Sequence, residues 1–303
     1  MPNNTIITIG SFDGVHLGHQ QLLRRLVLQA TTNHLQPLVI TFDHHPRQVL
    51  GSTYQGFGLL SSPTERNALI MEQDSKIQIE TIHFTPDVAQ LSACQFLETI
   101  LVRQYQAKAL LMGYDNMFGN HQHDDFAMLP DTAARLDVKI MHDTPLTIDG
   151  IPVSSTRIRQ ALQSGEVATA NQMLGRPYSV QGKVVEGRHI GHQLGFPTAN
   201  IATDADRLLP QQGVYVVRAF NSNNLPIAYG MANLGNQPTV GGAQEALETH
   251  LFVFDGNLYG QEVSIQFIAR MRDICSFAST QLLRQQLQHD KQQAIKIIAD
   301  ITT

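Results

Sequence analysis

The sequence predicts two modules in series: a doubly wound α/β half built on a parallel sheet, then a small antiparallel β-barrel or sandwich closed by a C-terminal helix. Short β-branched runs alternate with longer helical stretches in the first half, which implies a parallel sheet with helices on both faces. From about Val180 the strand candidates are short, separated by turn clusters and without helices between them. The 303-residue length suits two domains better than one.

In chain order, the first strand is the apolar run Ile6 to Ile9, ending at Gly10. Leu38 to Phe42, Ile77 to Phe84 and Ala109 to Met112 repeat it. Helices are expected over Gln20 to Ala30, Thr64 to Gln73 and Ser92 to Gln104. Ligands of such sheets bind beyond the carboxyl ends of the strands, so chemistry is expected just after these runs. Leu174-Gly175-Arg176-Pro177-Tyr178 marks the seam, because Gly ends a helix and Pro prevents its restart. The modules are therefore residues 1–176 and 177–303. In the second, Val180 to Val185, Gly213 to Ala219, Ile227 to Ala232, Glu248 to Phe254 and Glu262 to Phe267 are the strand candidates. Leu283, Leu287, Ala294 and Ile298 recur at helical spacing in a last helix from Thr280 to Ile298.

Composition narrows the partners. Hydrophobic residues are 42% and charged residues 16%, enough apolar material for two cores. A net charge of −5 gives no broad field for a nucleic acid backbone. Cys94 and Cys275 are far apart, so neither a disulfide framework nor a CxxC knuckle is expected. No run reaches the roughly 20 apolar residues of a membrane span, and Met1 to Thr5 lacks the character of a signal peptide. The expectation is a reducing, cytoplasmic setting with no membrane and no nucleic acid partner.

Gly10-Ser11-Phe12-Asp13-Gly14-Val15-His16-Leu17-Gly18-His19 follows the first strand and leads into a helix. Glycines let the backbone turn sharply and approach a ligand, and a helix start offers N–H groups to phosphate. His16 and His19, three residues apart, share a helical face and can donate to triphosphate oxygens as charge builds. Coincidence or a zinc pair is the plain alternative for two nearby histidines; the glycines and the strand–turn–helix setting favour phosphate. Ser154-Ser155-Thr156-Arg157-Ile158-Arg159 supplies a capped helix start whose Arg157 can make a forked contact to phosphate; by itself it reads as a capped helix with a basic first turn.

With TFDHHPRQVL (Thr41 to Leu50) and GYDNMFG (Gly113 to Gly119), these stretches resemble the adenylyltransferase module of bacterial bifunctional riboflavin kinase/FAD synthetases. The resemblance implies a Rossmann-like nucleotidyltransferase domain of the HxGH type that transfers AMP from ATP to FMN and releases pyrophosphate. It implies that His16 and His19 hold the triphosphate and Arg157 neutralises the pyrophosphate. Gly10, Phe12, Asp13, Gly14, Ser155 and Thr156 would line the ATP site, and Asp115 would face the flavin. The chain departs from the family at Asn120 to Asp125, where basic residues and a glycine are usual, and at His44, where proline is usual. His121, His123, Asp124 and Asp125 read as a solvated loop, with a metal site the alternative.

The densest signal runs from Gly182 to Asn200, GKVVEGRHIGHQLGFPTAN. Its glycines could fold over phosphates through backbone N–H groups, although no GxxxxGK(S/T) loop occurs. Thr198 and Asn200 offer hard oxygens two residues apart, suited to Mg²⁺ that keeps most of its waters. The stretch closely resembles the ATP and Mg²⁺ region of riboflavin kinases, as do Leu209-Pro210 with Gly213 to Tyr215, Asn233 to Thr239, Leu247 to His250, and Tyr259-Gly260. The resemblance implies a small barrel in which Glu248 takes the proton from the ribityl 5′-hydroxyl, worth about 10²–10⁴-fold. It places Gly187, Gly191, Gly195 and Pro197 at ATP, Thr198 and Asn200 at the metal, and Asn233 and Arg272 near the flavin. His192 and Gln237 stand where arginines are common.

Taken together, the expected activity is phosphorylation of riboflavin to FMN and adenylylation of FMN to FAD, with ATP consumed at both steps. The alternatives are a riboflavin kinase whose first module is weak or inactive, a non-catalytic flavin-binding regulatory paralogue, and an adenylyltransferase for another acceptor.

Overall fold

The computed structural model describes residues 4–44, 58–114, 118–119, 126–187, 191, 194–239 and 242–302, without the side chains of 237–239 and 242–245. Asp115, the 120–125 departure and His192 therefore lie outside the described residues. The chain packs as two units. One runs to Ser155 apart from 58–60, and the other joins 58–60 to everything from Thr156 onward.

In the first unit five parallel strands lie in the order β3-β2-β1-β4-β5: β1 (Thr5–Ile9), β2 (Gln36–Phe42), β3 (Gln78–Ile82), β4 (Ala107–Met112) and β5 (Lys139–His142). This is the doubly wound order anticipated, with strand order reversing between β1 and β4. Central strands of such a sheet are covered on both faces, which is why every residue of β1 is buried. Successive side chains separate to opposite layers. Ile6, Val39 and Ala109 pack with Leu22, Leu23 and Leu26 of α1 (Leu17–Asn33). Ile7, Ile40 and Leu110 instead meet Phe96, Leu97 and Leu101.

The remaining helices begin where local chemistry dictates. Ser62 and Glu65 form a reciprocal capping box at α2 (Pro63–Met71), with Pro63 at the first position. Thr85 caps the short α3 (Pro86–Gln90). Ser92 and Gln95 cap α4 (Ala93–Phe96), and the expected helix from Ser92 to Gln104 widens to a π-helix over Leu97–Val102. α5 (Leu129–Arg135) and the hairpin β6 (Thr147–Ile148) and β7 (Ile151–Pro152) complete the unit. Sequence patterning does not anticipate α3, β5 or this hairpin: they are short, and β5 has no buried residue.

The second unit begins with α6 (Ser155–Gln163), whose first residue belongs to the first unit, and α7 (Val167–Leu174). Asn171 of α7 donates from Nδ2 to the Phe267 carbonyl (2.9 Å) and accepts from the Tyr178 N–H (2.7 Å), fixing α7 to the barrel wall. Six antiparallel strands close in the order β10-β11-β12-β9-β8-β13. They are β8 (Tyr178–Val185), β9 (Ala199–Thr203), β10 (Gly213–Asn221), β11 (Pro226–Thr239), β12 (Gly242–Leu251) and β13 (Glu262–Arg272). The fold is thus a barrel, which leaves no open sheet edge. The strand β9 grows out of the end of the glycine-rich stretch and is not among the strands that patterning predicts.

Inside the barrel Tyr215 and Phe267 meet edge to face at 5.2 Å, with Leu234 and Leu247 also buried. Outside it, α8 (Thr280–Thr302) lays Leu287, Ala294 and Ile298 against Val216, Met231 and Phe252. Each such large apolar side chain stabilises the contact by about 1.5–3 kcal/mol when fully buried. The helix is also pinned by charge. Arg272 donates from Nη2 and Nε to the fully buried carboxylate of Asp290 (2.6 and 3.0 Å), and Gln286 donates to the same group at 2.8 Å. The Asp290 hydrogen bonds hold the Arg272 guanidinium above its ordinary pKa.

Candidate active sites

The first site grows from the end of β1, at the point where strand order reverses. Gly10 N–H donates to the Ile40 carbonyl at 3.0 Å, and the backbone then turns through positive φ at Phe12, Gly14 and Val15. Positive φ is uncommon outside glycine and strained for a β-branched residue, so surrounding bonds must hold this turn. Asp13 and Ser61 supply them. The Ser61 N–H donates to Asp13 Oδ1 (3.0 Å), the Gly14 N–H donates to Ser61 Oγ (2.9 Å), and Ser155 Oγ–H donates to the Asp13 carbonyl (2.9 Å). The last of these bonds joins two residues of the first unit that lie 142 positions apart in sequence.

His16 is not inside the helix, as its spacing from His19 suggested, but is its N-cap. Its Nδ1 accepts from the His19 N–H at 3.3 Å. That acceptor role leaves the neutral ring's proton on Nε2, a donor aimed away from the cap. The two imidazoles stack, with centroids 3.6 Å apart and planes at 16°. Gly18 permits this approach, since a Cβ there would lie 3.2 Å from His16 Nδ1. Phe12 braces His19 from the other side at 5.1 Å. His16 is 5% exposed, so its polarity serves a confined space rather than bulk water.

Sequence reasoning missed two residues here: Ser61 and Arg66. Arg66, buried in α2, donates from Nη1 to the Phe42 carbonyl at 2.9 Å. Burial lowers its pKa while Asp13 and Asp43 pull the other way. Their only signal was the capped SSPTER segment, which reads as an ordinary helix start.

The second site lies on the outer face of the barrel. One rung of the strand ladder runs Arg272–Val214–Asn233–Glu248–Asn200–Val185, each residue the partner of the next on β13, β10, β11, β12, β9 and β8. The adjoining rung, Leu234–Leu247–Ile201, faces inward and is buried. Period-two alternation therefore turns Asn233, Glu248 and Asn200 outward together. Facing pairs in a sheet stand about 4.5–5.5 Å apart at Cβ, which is contact range for these side chains.

Gly187 and Gly191, between β8 and β9, lie against one end of that rung. A Cβ on Gly187 would fall 1.9 Å from Asn200 Nδ2, and one on Gly191 would fall 2.2 Å from the Phe196 carbonyl and 3.3 Å from Thr198 Oγ1. Gly187 thus lies directly on Asn200, and Gly191 beside Thr198. Gly195 has φ +82°, and the Phe196 N–H donates to the Gly191 carbonyl at 2.8 Å. His250, two residues beyond Glu248 on the same face, has its Nδ1 2.8 Å from the Pro197 carbonyl and so holds the residue before Thr198. It stands between Phe196 (5.2 Å) and Phe252 (5.7 Å), and burial lowers its pKa, keeping it neutral. Arg272 shares the rung, but its guanidinium is engaged by Asp290 of α8.

Residues 1–157 match the family model described as FAD synthetase, and residues 174–298 match the one described as Riboflavin kinase. The chain is similar along nearly its whole length to proteins named Bifunctional riboflavin kinase/FMN adenylyltransferase. That of Haemophilus influenzae is 34% identical, over 95% of this chain and 92% of its own. The Escherichia coli K12 protein is 32% identical (94% and 90%), and the Bacillus subtilis 168 protein is also 32% identical (98% and 93%). A solved structure named as a macrolide-efflux protein, from Streptococcus pneumoniae, superposes with a TM-score of 0.85 at 29% identity, over 96% of this chain and 94% of that one.

Proposed function

Because the chain belongs to the bifunctional riboflavin kinase/FMN adenylyltransferase family, we propose that it converts riboflavin to FMN and FMN to FAD, spending one ATP on each step. The observation that carries the reading is the rung that sets Glu248 between Asn233 and Asn200.

In the kinase step the ribityl 5′-hydroxyl oxygen attacks the γ-phosphorus of ATP, the bond to ADP breaks, and Glu248 accepts the hydroxyl proton. Positioning and charge stabilisation supply most of the rate in such transfers. Asn233 on one side of Glu248 faces the flavin, and Asn200 on the other faces the phosphates. The donor set fits a hard cation, since Thr198 and Asn200 present oxygens beside a carboxylate, and Gly187 and Gly191 approach them as no residue with a Cβ could. Mg²⁺ held there would neutralise the charge of the transferring phosphates. Gly187, Gly191, Gly195 and Pro197 form the cover over ATP, and His250 keeps Thr198 in place through Pro197. Arg272 acts by shaping the flavin end of the rung through Asp290.

In the adenylyl step a phosphate oxygen of FMN attacks the α-phosphorus of ATP and pyrophosphate leaves, with no covalent enzyme intermediate. His16 donates from Nε2 and His19 from its stacked ring to the triphosphate, lined by Gly10, Phe12, Asp13, Gly14, Ser155 and Thr156. Arg157, in the first turn of α6, neutralises the pyrophosphate. Asp115 is assigned to the flavin.

The functional boundary is proposed at 176/177, just before β8 opens the barrel, while residues 156–176 pack with the second unit. The cytoplasm, where flavins and ATP coexist, is the proposed location. An export role, suggested by the name of the structural neighbour, is not adopted, because the motifs of both modules are those of ATP-dependent transfer. Among the described residues no helix is long and apolar enough to cross a membrane.

Incubation of the purified chain with riboflavin, ATP and Mg²⁺, with products separated over time, tests the proposal. FMN should rise first and FAD follow. Accumulation of FMN alone would leave only the kinase, and neither product would leave a binding protein.

A further inference from the structure

The carboxyl ends of β2 and β3 carry a cluster that neither reaction uses. Phe42 and Ile82 are register partners, so the residues that follow them, Asp43 and His83, emerge side by side, with His44 next in line. The Asp43 carboxylate is oriented on one side only. Its Oδ1 accepts the N–H groups of His44 (2.8 Å) and Phe84 (3.0 Å). Its Oδ2 turns to both imidazoles, 3.2 Å from His44 Nδ1 and in direct contact with His83 Nδ1. One ligand atom from each residue lies within 4.8 Å of the other two.

We propose that Asp43, His44 and His83 bind a divalent transition metal of the Zn²⁺ class. Two imidazoles and one carboxylate match that ion's preference for nitrogen and mixed donors, and oxygen-seeking Mg²⁺ is a poor match. Ligand bonds of about 2.0–2.2 Å in a tetrahedron put neighbouring donors about 3.4 Å apart, close to the His44–Asp43 spacing. Entry of the ion replaces the proton shared between His83 and Asp43 and moves the His83 ring slightly outward, which its 72% exposure allows. The two backbone bonds to Oδ1 are the outer contacts that hold a metal-ligating carboxylate in place. With three protein ligands, the fourth position is left to water. The bound ion would tie the residues that follow β2 to those that follow β3, at the carboxyl ends of the strands.

The test is titration of metal-free full-length protein with Co²⁺ and Zn²⁺. Expected are one equivalent of Co²⁺ with a visible d–d band, its displacement by Zn²⁺, and no displacement by excess Mg²⁺. His83→Ala and His44→Ala should each weaken binding at least tenfold, while a His121→Ala/His123→Ala variant binds as the parent does. Asp43→Asn, which keeps the shape of the group, should weaken it as well. Circular dichroism and FMN adenylylation report whether each variant is folded. No stoichiometric band, or a band unchanged in folded His83→Ala and His44→Ala variants, would overturn the proposal.

Discussion

The two sites assemble their chemistry in opposite ways. At the glycine turn ten consecutive residues, Gly10 to His19, carry the cap, the stacked imidazoles and the strained backbone, with Asp13, Ser61 and Ser155 as anchors. On the barrel no two of Arg272, Asn233, Glu248 and Asn200 share a strand, and one ladder rung brings them together. The first site is therefore specified by local turn chemistry and the second by strand register. A one-residue slip in β12 would turn Glu248 into the barrel interior and leave the glycine turn untouched.

That contrast can be broken by substitution. Glu248→Gln is expected to have the largest effect, lowering FMN formation by about 10²–10⁴-fold, with conversion of supplied FMN to FAD unchanged. His16→Ala with His19→Ala should lower FAD formation by about 10²–10³-fold, as for loss of preorganised donors, and spare FMN formation. Gly187→Ala sharpens the comparison, because its Cβ must displace the Asn200 side chain. Misplacement on that scale costs on the order of 10²-fold in the kinase step alone. Steady-state assays of each half-reaction check all three.

The smallest effect concerns pH. Burial lowers the pKa of His250 below its ordinary 6.5, so the unfolded chain binds its proton more readily than the folded barrel does. The stabilisation is complete above about 6.5 and is lost as pH falls from there through the lowered folded-state value. His250→Gln should flatten that acid limb in denaturant titrations of the protein at a series of pH values. An unchanged slope would mean that the ring is not held neutral against Pro197.

These differences also explain what is legible in the sequence. The parallel sheet is readable because β1, β2 and β4 are buried runs separated by long helices. The short α3, β5 and the β6–β7 hairpin carry little apolar patterning and leave no such signal. The family resemblance carries the list of site residues, but not their arrangement. Nothing local says that Asn233 and Asn200 flank Glu248, since that is a matter of register across three strands. His16 looks like a helical residue because caps and first turns share spacing, and only its backbone (ψ 171°) shows otherwise. The pairing of Arg272 with Asp290 is equally unreadable, because the partner lies 18 positions away in a helix whose polar residues mostly face water.

The direct test of two self-sufficient sites is complementation between variants in one tube. Glu248→Gln protein and His16→Ala/His19→Ala protein, each unable to take riboflavin to FAD alone, are mixed with riboflavin, ATP and Mg²⁺. The mixture should make FAD, the second variant supplying FMN and the first adenylylating it. FMN building up in the mixture while FAD stays absent, with both proteins folded, would contradict the account.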